Sequence, residues 1–306
     1  MRKISIIIAT LNAASTLERC LQSIFDQHYP DLEVLVEDGL STDATLDMVG
    51  RFADNGLPIL ARSRKDKGLY DALNNGVARA TGDLINILGA DDELMPGALK
   101  TVDHTASGTQ AEILAGYALC AGDGWQAVQK TAPFEPHAIL MHAPFCHNAM
   151  FASPGAYQRV GPYDISLKLS ADMRWVHKAI LAGEKFRAID DVIVKFRIGG
   201  MSSDPETVIH EAVVCIIQAF PELGFDEAKH LLFMAKGWLP VDNRCTDILK
   251  AHSDNAFLCD AIEKAAAYAP FGPQRAIDEA MNGMPHLHRL PHRIGRRLRG
   301  YIPWLS

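Results

Sequence analysis

The 306-residue chain has no run approaching the 18 apolar residues that a membrane-spanning helix needs. It is therefore expected not to cross a bilayer as a helix. Its six cysteines, Cys20, Cys120, Cys146, Cys215, Cys245 and Cys259, form no Cys-x-x-Cys pair, which excludes the common thiolate metal and redox motifs. They are also too sparse for a disulfide scaffold, so the expected state is reduced and the expected location cytoplasmic. There is no excess of positive charge. Thirty Lys and Arg against 37 Asp and Glu leave −7, which argues against a generally basic nucleic-acid binder. The loop after the first apolar run reads Thr10-Leu-Asn-Ala-Ala, with no glycine. A dinucleotide oxidoreductase would need Gly-x-Gly-x-x-Gly there. A nucleotidyltransferase should carry a Gly-rich phosphate loop in the same place.

What is present is ordinary for a globular protein: 48% hydrophobic and 22% charged residues, which exclude a disordered or low-complexity chain. The charge is unevenly spread. Residues 286–306 hold Arg289, Arg293, Arg296, Arg297 and Arg299 and no acid, so residues 1–285 carry −12. Leu290, Ile294 and Leu298 recur every four residues in this tail, followed by Tyr301 and Trp304. The pattern suits a helix on an anionic membrane surface, or equally one docked on the acidic body.

The first hundred residues alternate strand and helix. Residues 4–9, 32–37, 58–61 and 84–88 read as strands. The start, although it imitates a signal peptide, is short, β-branched and followed by polar Asn12. Residues 15–25 read as a helix with Ser15 and Glu18 as a capping box. A second helix opens at Ser41-Thr-Asp, and a third covers 69–80. Farther on, 113–118 and 147–151 read as strands, 171–182 as a helix, and 186–189 with 192–196 as a strand pair. Residues 205–282 read as several helices without strands. This alternation predicts an α/β fold, a mostly parallel sheet flanked by helices. Ligands of such sheets bind beyond the carboxyl ends of the strands. Residues 10–12, 38–43 and 89–92 are thus expected to converge.

Each chemical candidate has a plain structural alternative. Asp38 can accept a hydrogen bond from a ring N–H such as N3 of uracil, or merely end a strand before a capping Ser41. Asp91, Asp92 and Glu93 repel one another unless a cation sits among them, and oxygen ligands suit Mg²⁺ or Mn²⁺ with a diphosphate. They can also form a solvated loop. Asp66 and Lys67 can face a nucleotide or precede a capped surface helix, in which Asn74 can bond a neighbouring loop. Asp172 at a helix start gains from the helix dipole, or caps the helix. His147 and Asn148 are equally open.

Taken in order, the motifs are more specific. Ser5-Ile-Ile-Ile-Ala-Thr-Leu-Asn12, Gln27-His-Tyr-Pro30, Val36-Glu-Asp-Gly-Leu-Ser-Thr-Asp-Ala-Thr45, Asp66-Lys-Gly-Leu-Tyr-Asp-Ala-Leu-Asn-Asn-Gly76, Ala80-Thr-Gly-Asp83 and Ala90-Asp-Asp92 closely resemble a family 2 glycosyltransferase. Cys146-His-Asn-Ala-Met-Phe151, Val160-Gly-Pro-Tyr-Asp164, Ser170-Ala-Asp172 and Phe196-Arg-Ile-Gly-Gly-Met-Ser202 extend the likeness over roughly residues 3–203. The resemblance implies the Rossmann-like GT-A fold with a helical C-terminal extension. It divides the chain into a nucleotide-sugar half (1–110), an acceptor and catalytic half (111–203) and a helical region (204–306) ending in the basic tail.

It further implies an inverting transfer from a nucleotide-diphosphate sugar, with UDP favoured. The implied acceptor is a saccharide hydroxyl, lipid-linked as in many relatives that build bacterial surface polysaccharides or glycolipids, and the implied place is the cytoplasmic face of the membrane. Thr10, Asn12, Asp38, Asp66, Lys67, Asp91, Gly200 and Ser202 match donor-binding positions. His147 and Asn148 match the acceptor side, and Asp172 the catalytic base. Asp91 and Asp92 match the Mg²⁺ or Mn²⁺ site, although Gly89 stands where the first acid of the Asp-x-Asp motif belongs. The alternative is a catalytically impaired scaffold of the same fold.

Overall fold

The computed structural model describes residues 1–122, 124–142, 144–199 and 204–268. Gly200, Ser202 and the basic tail lie outside these residues. Strand β1 (Ile4–Thr10) is followed by α1 (Leu17–Phe25), β2 (Leu32–Asp38), α2 (Thr45–Asp54), β3 (Ile59–Ser63), α3 (Leu69–Arg79) and β4 (Leu84–Ile87). These strands pair in parallel in the order β3-β2-β1-β4. β1 is buried almost throughout and reads as an apolar run, whereas buried β2 also carries Glu33, held by Ser5, Thr81 and Lys3, Glu37, paired with Arg79, and Asp38.

The second half continues the sheet. Strand β5 (Glu93–Leu94), α4 (Ala98–Ser107), β6 (Ile113–Gly122), β7 (Trp125–Gln129) and α5 (His137–Leu140) lead to a 3₁₀ turn at His147–Ala149. Then come β8 (Met150–Ala152), α6 (Pro154–Val160), α7 (Ala171–Leu181) and β9 (Phe186–Arg197). The order extends β4-β8-β6-β9-β5, with β7 on the far side of β6. β8 is antiparallel to β4 and β6, whereas β9 runs parallel to β6. Helices α8 (Pro205–Ala219), α9 (Phe225–Ala235), α10 (Asn243–Ala251) and α11 (Ala256–Tyr268) complete the described chain.

Two apolar clusters cover the faces of the sheet. Leu17, Cys20, Leu21 and Ile24 of α1 lie with Met48 and Phe52 of α2 and Leu99 and Val102 of α4 on one side. Tyr70 and Leu73 of α3, Trp175 and Val176 of α7, and the apolar faces of α8 to α11 lie on the other. The C-terminal helices are therefore continuous with the core around α7. Among the described residues no helix is long and apolar enough to cross a membrane.

Four local expectations are corrected. Helix α1 starts at Leu17 after Thr16, with no side-chain cap, so Ser15 and Glu18 form no capping box. Helix α2 starts at Thr45 rather than Ser41, because Asp43 draws the Thr45 N–H and hydroxyl to itself and Ser41 turns to Asp38. Residues 147–149 are a 3₁₀ turn, and only 150–152 are strand. The expected pair at 186–196 is one continuous strand: Asp190 and Asp191 look like a turn, but irregular pairing against residues 115–118 of β6 absorbs them.

Candidate functional site

The parallel register puts three loop mouths on one edge. Thr10 is level with Asp38, and Ile7 with Ile87. The chain leaves β1 toward β2 on one side and finds β4 on the other, which makes the crevice at their carboxyl ends a switch point. Residues 10–12 and 38–43 bond one another there, and β4, which leads into residues 89–92, ends beside β1.

Asp38 is 2% exposed, and its two oxygens accept four hydrogen bonds. Oδ1 takes the hydroxyls of Thr10 (2.9 Å) and Ser41; Oδ2 takes the Ser41 N–H (3.0 Å) and the Ser63 hydroxyl (2.6 Å). Burial alone would push this carboxyl up, but the bonds from Ser41, Ser63 and Thr10 outweigh it and hold it below the usual range. Four donors match the lone pairs a carboxylate offers. A further donor would be accepted only by displacing one of the hydroxyls, which can rotate.

Asn12 has φ of 52°, in the left-handed region that asparagine tolerates. Its Oδ1 accepts from the Thr42 N–H (2.9 Å), and its own N–H donates to Ser41 Oγ (2.8 Å), so it fixes the 38–43 loop. Gly39 sits against Asp66: a Cβ there would lie 2.8 Å from Asp66 Oδ2 and 3.6 Å from the Leu11 side chain. Leu11 and Leu40 are exposed beside it. Asp66 also accepts from the Gly68 N–H (2.8 Å), and the Lys67 N–H donates to Asp71 (3.1 Å), leaving the Lys67 side chain exposed at the start of α3.

Of the three clustered acids, only Asp91 is uncommitted among the described residues. Glu93 is neutralised by Arg197 (2.7 Å), with Lys195 and Arg19 farther off. Asp92 is 1% exposed; Oδ1 accepts from the Arg197 N–H (2.8 Å) and Oδ2 from the Asn148 amide. Burial pushes Asp92 up to about 8, and the Asp91 charge adds to the rise. The missing side chain at Gly89 leaves a small cradle. A Cβ at that point would stand 2.5 Å from Asp92 Oδ2, 2.9 Å from Asp91 Oδ1 and 3.3 Å from Asn148 Nδ2. Asp91 Oδ1 and Asp92 Oδ2 flank the place a Cβ would take, and oxygens of this kind suit a hard divalent cation once Asp92 gives up its proton. Asp91 and Asp92 are thus chemically suited to hold one without an acid at 89.

Asp172 is the second helical residue of α7, half-buried, where the helix dipole favours a carboxylate. Its Oδ1 accepts from Tyr70 Oη at 2.9 Å. Tyr70 is buried on α3, and burial together with the Asp172 charge raises its phenol, so it stays a donor. Beside it Tyr163 Oη meets both His147 Nε2 (3.0 Å) and Tyr157 Oη (2.9 Å). His147 is buried, and desolvation lowers it toward the neutral form despite the Asp172 charge. Asn74 clamps the Tyr163 backbone on both sides, donating to its carbonyl (2.9 Å) and accepting from its N–H (2.8 Å). This is the loop contact its position suggested.

The two halves of the site are joined through residues 147 and 148. Asn148 reaches Asp92, and His147 reaches Tyr163 next to Asp172. Sequence reasoning missed Tyr70 and Tyr163, though both lie inside motifs it quoted. It also missed Glu211 of α8, which gave no signal. The buried Glu211 carboxylate accepts the N–H groups of Lys168 (2.7 Å) and Leu169 (2.8 Å) and so holds the loop entering α7.

The family model described as Glycosyl transferase family 2 matches residues 5–163. A PGL/p-HBAD biosynthesis glycosyltransferase of Mycobacterium bovis is 30% identical over 207 residues, covering 62% of this chain and 80% of the relative. A GalNAc(5)-diNAcBac-PP-undecaprenol beta-1,3-glucosyltransferase of Campylobacter jejuni is 33% identical over 115 residues, 37% of each chain. S. aureus TarS 1–349 in complex with UDP-GlcNAc superposes with a TM-score of 0.60 at 18% identity, over 87% of this chain and 91% of that one. The mannosyltransferase PcManGT from Pyrobaculum calidifontis, with GDP-Man and Mn²⁺, also gives 0.60 at 18% identity, over 98% and 84%.

Proposed function

From the premise that this chain belongs to glycosyl transferase family 2 and is a glycosyltransferase of GT-A fold, we propose that it transfers a sugar from a UDP-sugar to a saccharide hydroxyl with inversion. What supports this reading is a run of local contacts: Asp38 bonded to Thr10 at the ends of β2 and β1, the Gly89–Asp92 turn after β4 bonded to Asn148, and the neighbouring His147, which feels the Asp172 charge, bonded to Tyr163. Asp38 with Thr10, Asn12 and Asp66 receives the base. Leu11 and Leu40 offer apolar faces to a flat ring at the same mouth. Lys67 lies near the diphosphate.

Asp91 and Asp92 would hold Mg²⁺ or Mn²⁺, which supplies charge stabilisation for the leaving diphosphate when bound. Asp172 takes the proton of the attacking hydroxyl at its carboxylate, and the Tyr70 hydroxyl keeps that carboxylate aimed. His147 and Asn148 shape the acceptor side. A single displacement with the base opposite the leaving group inverts the anomeric centre. Gly200 and Ser202, matched to donor-binding positions by the resemblance, lie outside the described residues.

A lipid-linked saccharide is the acceptor class we favour, because the C. jejuni relative is named for an undecaprenol-linked one. With it goes a place at the cytoplasmic membrane face, with the 286–306 tail as the contact. The three-part division at 110 and 203 is part of the same reading. The test is a panel of UDP- and GDP-sugars with Mn²⁺, Mg²⁺ or chelator, scoring nucleotide release with and without polyprenyl-linked acceptors. Metal-stimulated release of UDP and an inverted product by NMR are expected. Release of no nucleotide from any donor, or a retained configuration, contradicts the proposal. Vesicle binding that is unchanged by deleting 286–306 contradicts the tail's role.

A further inference from the structure

We propose that His230, Asp242 and Cys245 form a zinc site that clips α10 onto α9, away from the transfer site. His230 Nε2 lies 3.1 Å from Asp242 Oδ1 and 3.5 Å from Cys245 Sγ, and the ligand atoms of all three residues lie within 4.8 Å of one another. The same ring nitrogen faces both partners. A relay would place the acid on one ring nitrogen and the thiol on the other, as in a catalytic triad. Groups converging on one nitrogen instead surround a common centre.

The spacings agree with a metal. With Zn–S of ~2.3 Å and Zn–N of ~2.0 Å, a tetrahedral site separates sulfur from nitrogen by about 3.5 Å. The corresponding nitrogen–oxygen edge is about 3.3 Å, close to the observed contact. An imidazole, a thiolate and a carboxylate favour zinc over harder cations. A three-residue set leaves a fourth position for water or another ligand.

The surroundings suit a structural ion. His230 and Cys245 are buried, whereas the Asp242 side chain is 43% exposed, which leaves an entry path. Asp242 also caps α10 by accepting the N–H groups of Arg244 and Cys245 through Oδ1. The cap bonds and the His230 contact share Oδ1, so a bound metal takes over one of the cap bonds' lone pairs or draws in Oδ2. Only Cys245 and Ile248 of the nine residues in α10 are buried, so the helix has little apolar surface to hold it down. A cation bridging to α9 supplies the missing attachment. Sequence spacing hides the site, since its ligands are separated by 12 and 3 residues on two helices and form no short motif.

The test uses the full chain, stripped of metal and then titrated with Zn²⁺ and separately with Co²⁺. One zinc per chain should survive gel filtration, and cobalt should give a sulfur-to-metal charge-transfer band. Cys245→Ser should abolish the band and lower zinc affinity at least tenfold. Asp242→Asn, which keeps a good helix cap, should also weaken zinc at least tenfold while the circular dichroism stays unchanged. The wild-type melting temperature should rise with zinc, and that of both variants should not. Zinc that binds without the cobalt–sulfur band, or equally well in Cys245→Ser, overturns the proposal; His286, His288 and His292 would then be its source. Failure to retain zinc overturns it as well.

Discussion

Replacing Asp172 by Asn separates catalysis from folding and donor binding. Asparagine keeps an oxygen to accept the Tyr70 hydroxyl, now 2.9 Å from Asp172 Oδ1, so α7 retains its tie to α3. The lost charge at the second position of α7 costs about 0.3–1 kcal/mol of dipole interaction. For a chain of this length that lowers the melting temperature by only about 1–4 °C. The Asp38 and Gly89–Asp92 loops lie on other elements, so UDP affinity should stay within about twofold by calorimetry. General-base assistance is worth about 10²–10⁴ in rate, equivalent to about 3–5 kcal/mol of barrier. The turnover number should fall by that factor, measured as UDP release from whichever UDP-sugar the wild type turns over. Turnover within about threefold of wild type would refute the assignment. A collapse of UDP affinity would refute the separation of base and donor pocket.

Other perturbations probe the neighbours. Tyr70→Phe removes one hydrogen bond to a charged group, worth about 1.5–3 kcal/mol, and should lower turnover about tenfold or more with the Michaelis constant for donor unchanged; unaltered turnover would show that Asp172 needs no positioning. Gly89→Ala forces a methyl to within 2.5 Å of Asp92, which Arg197 and Asn148 pin, so it should cost about 1–3 kcal/mol in urea unfolding and blunt activation by Mn²⁺. Equal stability and equal metal response would remove the cradle from the account. Without metal, folded Asp92 keeps its proton up to about pH 8, while the unfolded chain releases it near 3.8. The unfolded state then binds fewer protons, so this group's contribution to stability falls as pH rises from about 4 through 8. Urea midpoints across that range should decline in the wild type and flatten in Asp92→Asn, and Mn²⁺ should protect more at the alkaline end. Parallel slopes would contradict the burial of an ionisable Asp92.

The parts of the fold legible in the text are those set by local period. β1 is buried on both faces and reads as an apolar run, and α3 and α7 show helical spacing close to their observed limits. Parallel alternation then places residues 10, 38 and 89 at one edge without further information. Elements decided by partners were harder. β9 carries Asp190 and Asp191 in mid-strand, tolerated because its pairing with β6 is irregular there. Helix α2 starts late because Asp43 captures Thr45 before a helix can form. In the candidate site, Asp172 and Tyr70 are separated by 102 residues, and no local rule joins them. Glu211 braces the start of α7 from a helix outside the quoted motifs, and its role is visible only in the packing.

Widely separated acids are proposed to share a single donor crevice. A crystal structure with UDP and Mn²⁺ measures that directly. The expected density has uracil between Asp38 and Leu11, the diphosphate over Asp91, and the Asp172 carboxylate open to the same cavity beyond the β-phosphate. A nucleotide seated elsewhere, or an Asp172 walled off from the β-phosphate side, would contradict it.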